Sequence, residues 1–196
     1  MNTLQKTLLA LTTGALMTAG ANAAVTYGNG YAGQTYLGVK AGQYDVDAED
    51  ADEATSYGVY GGYKFTPNFG IEGEYLGTSD ETIIDNRIEK FEYSGQVLGL
   101  YGTYDYMFPN TGGLYAKGRL GFADNEIEID AKNKVTGNSG SDTISDTGVA
   151  GGLGLGFNIS PMASVEAMYN YYPSIEDDNT EDIDVSGVTL GAHLKF

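Results

Sequence analysis

Ile183-Asp184-Val185-Ser186-Gly187-Val188-Thr189-Leu190-Gly191-Ala192-His193-Leu194-Lys195-Phe196 alternates steadily from Gly187 to its end. Val188, Leu190, Ala192, Leu194 and Phe196 fall on one parity. Gly187, Thr189, Gly191, His193 and Lys195 fall on the other. Period-two alternation is the signature of a β-strand with one apolar and one polar face. In a soluble barrel the apolar parity points inward. In a closed barrel that crosses lipid it points outward, and an aromatic residue at the strand end sits at the bilayer interface. The character of the other strands decides between the two.

The segments upstream divide into seven more strands, at about 34–46, 54–65, 69–79, 91–107, 113–129, 144–159 and 162–175. Their connections alternate in chemistry. Thr66-Pro67-Asn68, Phe108-Pro109-Asn110-Thr111-Gly112 and Ser160-Pro161 are short and built from turn residues. The others are longer: acidic loops at 47–53, about 80–86 and after 175, and a polar one rich in Asn, Gly and Ser reaching about Asp142. Short turns at one end and long loops at the other are the asymmetry of outer-membrane barrels.

One parity is apolar and free of charge across the middle of the strands: Leu37, Val39 and Ala41; Tyr57, Val59 and Tyr63; Ile71 and Tyr75; Leu98 and Leu100; Leu120 and Phe122; Leu153 and Leu155; Val165 and Ala167. About ten residues of a strand tilted near 40° cross a ~25 Å apolar band, which these segments provide. Aromatic side chains gather at the strand ends. Tyr63, Phe65, Phe69, Tyr104, Tyr106, Phe157 and Phe196 lie by the short turns and are expected at the membrane interface, where amphipathic rings settle. Phe91 and Tyr93 break the parity at the upper end of the fourth strand. The expected fold is all-β, an eight-stranded antiparallel up-and-down transmembrane β-barrel over residues 34–196.

The start of the chain fits export. Lys6 is followed by an uncharged, mostly apolar run from Leu8 to Ala19 and by Ala21-Asn22-Ala23, small at the positions three and one before a cut. This is a signal-peptide pattern over 1–23, too short to span a membrane. Residues 24–33 form a lead-in. The chain has no Cys, so it uses no disulfide and carries no lipoprotein acylation site.

The chain is strongly acidic, and the acids are localised. Of 27 Asp and Glu, 23 lie in 45–53, 80–92, 124–146 and 176–184, beside only four bases, which leaves those segments at −19. A nucleic-acid partner is excluded by repulsion. The charges that remain fall on the strand parity opposite the apolar one. Lys40, Glu72, Glu74, Lys117, Arg119 and Glu166 are expected to form a charge network inside the barrel. Ala150, Gly152, Gly154 and Gly156 share that face, leaving room for Lys117 or Arg119 to reach Glu166. An eight-stranded barrel is just wide enough for its side chains. Unpaired charges there cost several kcal/mol each, so pairing and a plugged lumen are expected.

The signal peptide, the eight strands, the Pro/Asn turns, YLGVKAGQY at 36–44 and GVTLGAHLKF at 187–196 resemble the outer-membrane protein A-like, or opacity-like, small barrels. The resemblance implies a barrel of the cell outer membrane with a structural, adhesive or weakly conducting role. It implies contact with outer-membrane lipid and lipopolysaccharide, recognition by the barrel-assembly machinery through the strand ending in Phe196, and a host or cell-surface ligand for the loops. It implies no cofactor. The peptidoglycan-binding domain of longer members is not expected, since the barrel occupies the chain to its last residue.

Other chemistry is poorly supported. Gly28-Asn29-Gly30-Tyr31-Ala32-Gly33 matches a dinucleotide fingerprint but lacks the preceding strand and following helix. Asp45 to Asp50 is not an EF-hand, because Asp50 stands where the loop needs Gly and Ser56 where it needs Glu. Some small barrels act on lipid A, which would need a catalytic His. The only one, His193, lies inside near the short turns, away from the outer leaflet. The expected function is a non-enzymatic outer-membrane protein acting structurally or through its acidic loops. The alternative is a narrow porin-like channel, and a lipid A-modifying enzyme ranks below it.

Overall fold

The computed structural model describes residues 33–46, 54–79, 81–85, 89–133, 139–175 and 183–196. The signal peptide, nearly all of the lead-in and the tips of the acidic loops lie outside these residues. The strands are β1 (Gln34–Val46), β2 (Ala54–Lys64), β3 (Phe69–Thr78), β4 (Glu81–Asp85), β5 (Glu89–Met107), β6 (Leu114–Asn133), β7 (Ser139–Ser160), β8 (Ala163–Ile175) and β9 (Ile183–Lys195). Each pairs antiparallel with its neighbours.

The sheet closes on itself. β1 pairs with β9 from Tyr36↔Lys195 to Val46↔Val185, and the amide of Phe196 donates to the carbonyl of Thr35 at 2.8 Å. β3 pairs with β5 from Phe69↔Tyr104 to Gly77↔Gln96. The short β4 takes over farther up β5, from Glu81↔Tyr93 to Asp85↔Lys90. β3 and β4 are thus one stave with a break in it, and the barrel has eight staves. Closure leaves no open edge in the bilayer, where an unpaired backbone group has no water to bond.

Two segments expected as loops are strands. β4 lies in the acidic stretch after Ser79, and the polar stretch before Asp142 belongs to β6 and β7, which stay paired out to Lys132↔Ser139. Backbone ladders do not need an apolar face. Beyond the bilayer both faces of a strand meet water, so alternation fades while hydrogen bonding continues. Phe91 and Tyr93 lie in this upper extension, on β5.

The outer face is the apolar parity. Leu120 is 67% exposed, Leu153 74% and Leu190 67%. In register they meet small or apolar neighbours, as in Val39↔Val59 and Ala41↔Leu190. The inner face changes along the axis. Toward the long loops Tyr44, Leu76, Val97, Tyr101, Ala123, Ala150, Tyr172 and Val185 make a buried apolar cluster. Below it lies the charged layer.

At the short-turn end, the turn after β5 is set by left-handed backbone at Asn110 (φ 64°) and Gly112 (φ 73°). Asn and Gly are the residues that tolerate this conformation.

Candidate functional site

Period-two geometry puts Lys40 of β1, Glu72 and Glu74 of β3, Lys117 and Arg119 of β6 and Glu166 of β8 inside the barrel, and all six are buried. The Arg119 guanidinium grips Glu74 in a fork, Nη1 to Oε2 at 2.6 Å and Nη2 to Oε1 at 3.0 Å. Nη1 also reaches Glu72 Oε1 at 3.2 Å, and Nη2 reaches Asn170 Oδ1 at 2.7 Å. Lys117, rather than Arg119, reaches Glu166, with Nζ 3.1 Å from Oε1 and 3.2 Å from Oε2, and it also pairs with Glu72. Lys40 pairs with Glu74. Three cations therefore face three carboxylates, a neutral set with every ion partnered.

Tyrosines complete the layer. Tyr36 donates to Glu72 Oε2 at 2.7 Å, Tyr101 to Glu74 Oε1 at 2.7 Å, and Tyr115 to Glu166 Oε2 at 3.2 Å. Tyr60 shares a 3.0 Å hydrogen bond with His193 Nδ1. The rings also cover the cations. Arg119 lies 4.2 Å from the Tyr101 centroid, and Lys117 5.5 Å from those of Tyr36 and Tyr60. Each carboxylate thus receives charged and neutral donors, the condition under which buried ions become tolerable.

Sequence reading found the ions and missed these hydroxyls and Asn170. The available signal was tyrosine recurring on the inward parity, at Tyr36, Tyr60, Tyr101 and Tyr115.

Glycines make the space. A Cβ at Gly152 would lie 2.7 Å from Asn170 Oδ1 and 3.3 Å from Arg119 Nε, and one at Gly156 would overlap the Tyr115 ring. The glycine face of β7 is the floor on which Arg119 and Tyr115 lie.

A second ionic layer sits nearer the short turns. Lys64 Nζ is 2.7 Å from Asp105 Oδ2 and 3.1 Å from Thr103 Oγ1, and Lys195 bonds Asn158. A cavity of about 230 Å³ opens among them and ends against Lys117, Glu166 and His193.

The aromatics by the short turns lie on the outer parity. Phe69, Tyr104, Tyr106, Phe157 and Phe196 are exposed, while Tyr63 and Phe65 are half-buried. Phe69 and Tyr104 pack at 4.8 Å between centroids, and Tyr63 and Phe65 at 5.7 Å.

Comparison with known proteins fits this architecture. Residues 7–196 match the family model described as the outer membrane protein beta-barrel domain. Among curated proteins no sequence match was found. Similar solved structures include Ail, the attachment invasion locus protein of Yersinia pestis, with TM-score 0.59 and 18% identity over 84% of this chain and 99% of that one. Neisserial surface protein A (NspA) has TM-score 0.56 and 14% identity over 83% and 97%. The N-terminal barrel of OprF from Pseudomonas aeruginosa has TM-score 0.53 and 18% identity over 84% and 99%. At such identities these structures speak for the fold alone. The closed barrel, its apolar exterior and the match across nearly the whole chain make this an integral protein of the outer membrane, and the chain belongs to the outer membrane protein β-barrel domain family.

Proposed function

We propose that this protein is a plugged, non-enzymatic barrel whose work is done at the cell surface by its acidic loops. The observation that carries this reading is the lumen. Its central layer is a neutral set of mutually bonded ions, and the side toward the loops is closed by the apolar cluster around Tyr44, Leu76 and Tyr172. An ion entering from the short-turn cavity meets Lys117 and Glu166 already bonded to each other, and above them a tightly buried layer in which the Tyr44 hydroxyl is taken by Asn125. That arrangement supports an anchor better than a channel.

His193 supports the same reading. It lies in the lumen toward the short turns and bonds Tyr60, with Glu166 Oε1 3.9 Å away. Chemistry on outer-leaflet lipid needs a catalytic group on the other side of the cap.

The charge of the loops narrows the partner. A structure of Ail holds the heparin analogue sucrose octasulfate. Here the loop-bearing segments sum to −19, which repels sulfated polysaccharide and favours a cationic or neutral surface. The aromatics from Tyr63 to Phe196 serve in this reading as the lower interfacial girdle that fixes the anchor's height.

The test is retention of liposomes bearing the refolded protein on immobilised polylysine and on immobilised heparin. Retention on polylysine, lost when the acids of 47–53 and 176–182 are changed to Asn and Gln, is the expected result. Retention on heparin, or retention that ignores those changes, overturns the reading.

A further inference from the structure

Among the described residues, the outer wall has a recess that the lumen does not explain. It lies where β3 parts from β5, and it has a volume of about 420 Å³. Its centre is a single row across three strands, Tyr57 on β2, Gly77 on β3 and Gln96 on β5, each the direct partner of the next. Gly77 leaves a gap between a ring and an amide, and a Cβ placed there would meet nothing within 4 Å. Val59 and Tyr75 form the lower rim and Ser94 the upper one. The Thr78 hydroxyl accepts from the Gly95 amide at 2.6 Å, tying the end of β3 to β5 just above the recess.

The chemistry of the lining is specific. Tyr57 is 58% exposed and presents its ring to the outside. Tyr75 donates its hydroxyl to Gln96 Oε1 at 3.1 Å, which occupies the amide oxygen and leaves the amide N–H groups for another acceptor. Among the described residues, no charged side chain lines the recess. An aromatic face beside amide and hydroxyl donors suits a sugar ring, whose C–H face packs on the aromatic and whose hydroxyls take the hydrogen bonds. The described lining offers a phosphate no cation.

Depth identifies which sugar. Tyr57 stands eight residues along β2 from Phe65, both on the outer parity. At about 3.3 Å per residue and a tilt near 40° that is roughly 20 Å of height, which puts the recess at the outer edge of a ~25 Å apolar band. At that height the barrel wall meets the headgroups of the outer leaflet. We propose that this recess seats a saccharide headgroup of an outer-leaflet glycolipid, with a sugar ring on Tyr57 and its hydroxyls at Gln96. The proposal rests on the barrel's orientation in the membrane and is independent of what the loops bind.

Native mass spectrometry of the detergent-solubilised, refolded full barrel tests it, with deep-rough lipopolysaccharide and phosphatidylglycerol as probes. Gly77→Leu puts a side chain into the recess, where its Cβ meets nothing within 4 Å, and Tyr57→Leu removes the ring while keeping an apolar surface. Wild type is expected to retain one lipopolysaccharide in preference to phosphatidylglycerol. Each variant should weaken that retention about tenfold, the scale of one aromatic contact. Heat-dependent gel mobility checks folding, and Gln96→Leu replaces any variant that fails it. Equal retention of the two lipids, or folded variants that bind lipopolysaccharide as wild type does, overturns the proposal. A wild-type barrel that retains lipopolysaccharide but does not bind polylysine would count against the loop reading alone.

Discussion

Glu74 on β3 takes both terminal nitrogens of Arg119 on β6, at 2.6 and 3.0 Å, across the centre of the lumen. The side chains of the pair are 0% and 2% exposed, and Lys40 and Tyr101 bond the same carboxylate. Removing one member leaves the others buried with uncompensated charge.

Arg119→Met should therefore destabilise the barrel by about 3–5 kcal/mol, the cost of breaking a buried pair from one side. Adding Glu74→Gln should restore part of the loss, because the orphaned charge is removed with its partner. Urea unfolding in detergent micelles measures both. An Arg119→Met barrel as stable as wild type would mean that the network contributes nothing.

Leu153 tests the other face. It is 74% exposed, on the outer parity of β7 between Gly118 and Tyr169. An exposed Leu in water tolerates Arg with little effect. In lipid, Leu153→Arg should cost about 2–4 kcal/mol near the midplane. Unfolding from lipid vesicles reads the difference, and a change under ~0.5 kcal/mol would place this face in water.

Gly156→Val probes the glycine floor. The added side chain would take the space of the Tyr115 ring, which donates to Glu166. Overpacking of this kind costs about 1–3 kcal/mol. The loss should appear as a lower urea midpoint and less of the fast-migrating folded band on unheated gels.

Phe196 separates stability from assembly. Its ring is 66% exposed and packs on little, while its amide closes the seam to Thr35. Phe196→Ala should refold in detergent with a stability within about 0.5 kcal/mol of wild type. If the assembly machinery reads the terminal ring, the same variant should accumulate less folded barrel in cells. Equal accumulation would remove that role.

Much of this was legible because the side-chain period of a strand is two. Val188 to Phe196 and Leu37 to Ala41 show their faces in the bare sequence, and membrane spans that alternate cleanly leave one register available. Legibility ended where that constraint ended. The strand Glu81–Asp85 and the start of the strand from Ser139 show no clean alternation in sequence, and a backbone ladder without that pattern reads as a loop. The ions of the lumen were legible from parity alone. Their partners were not, since Lys117 reaching Glu166 and Arg119 reaching Glu74 depend on how far each side chain extends across the barrel. The tyrosine hydroxyls were missed because a tyrosine on a strand reads first as a strand former.

The proposed anchor depends on a lumen closed by its paired ions and the apolar cluster above them. Planar-bilayer recording of the purified, refolded protein tests this most directly. Insertion without sustained conductance steps in wild type is the predicted result. Stable openings in wild type would contradict it.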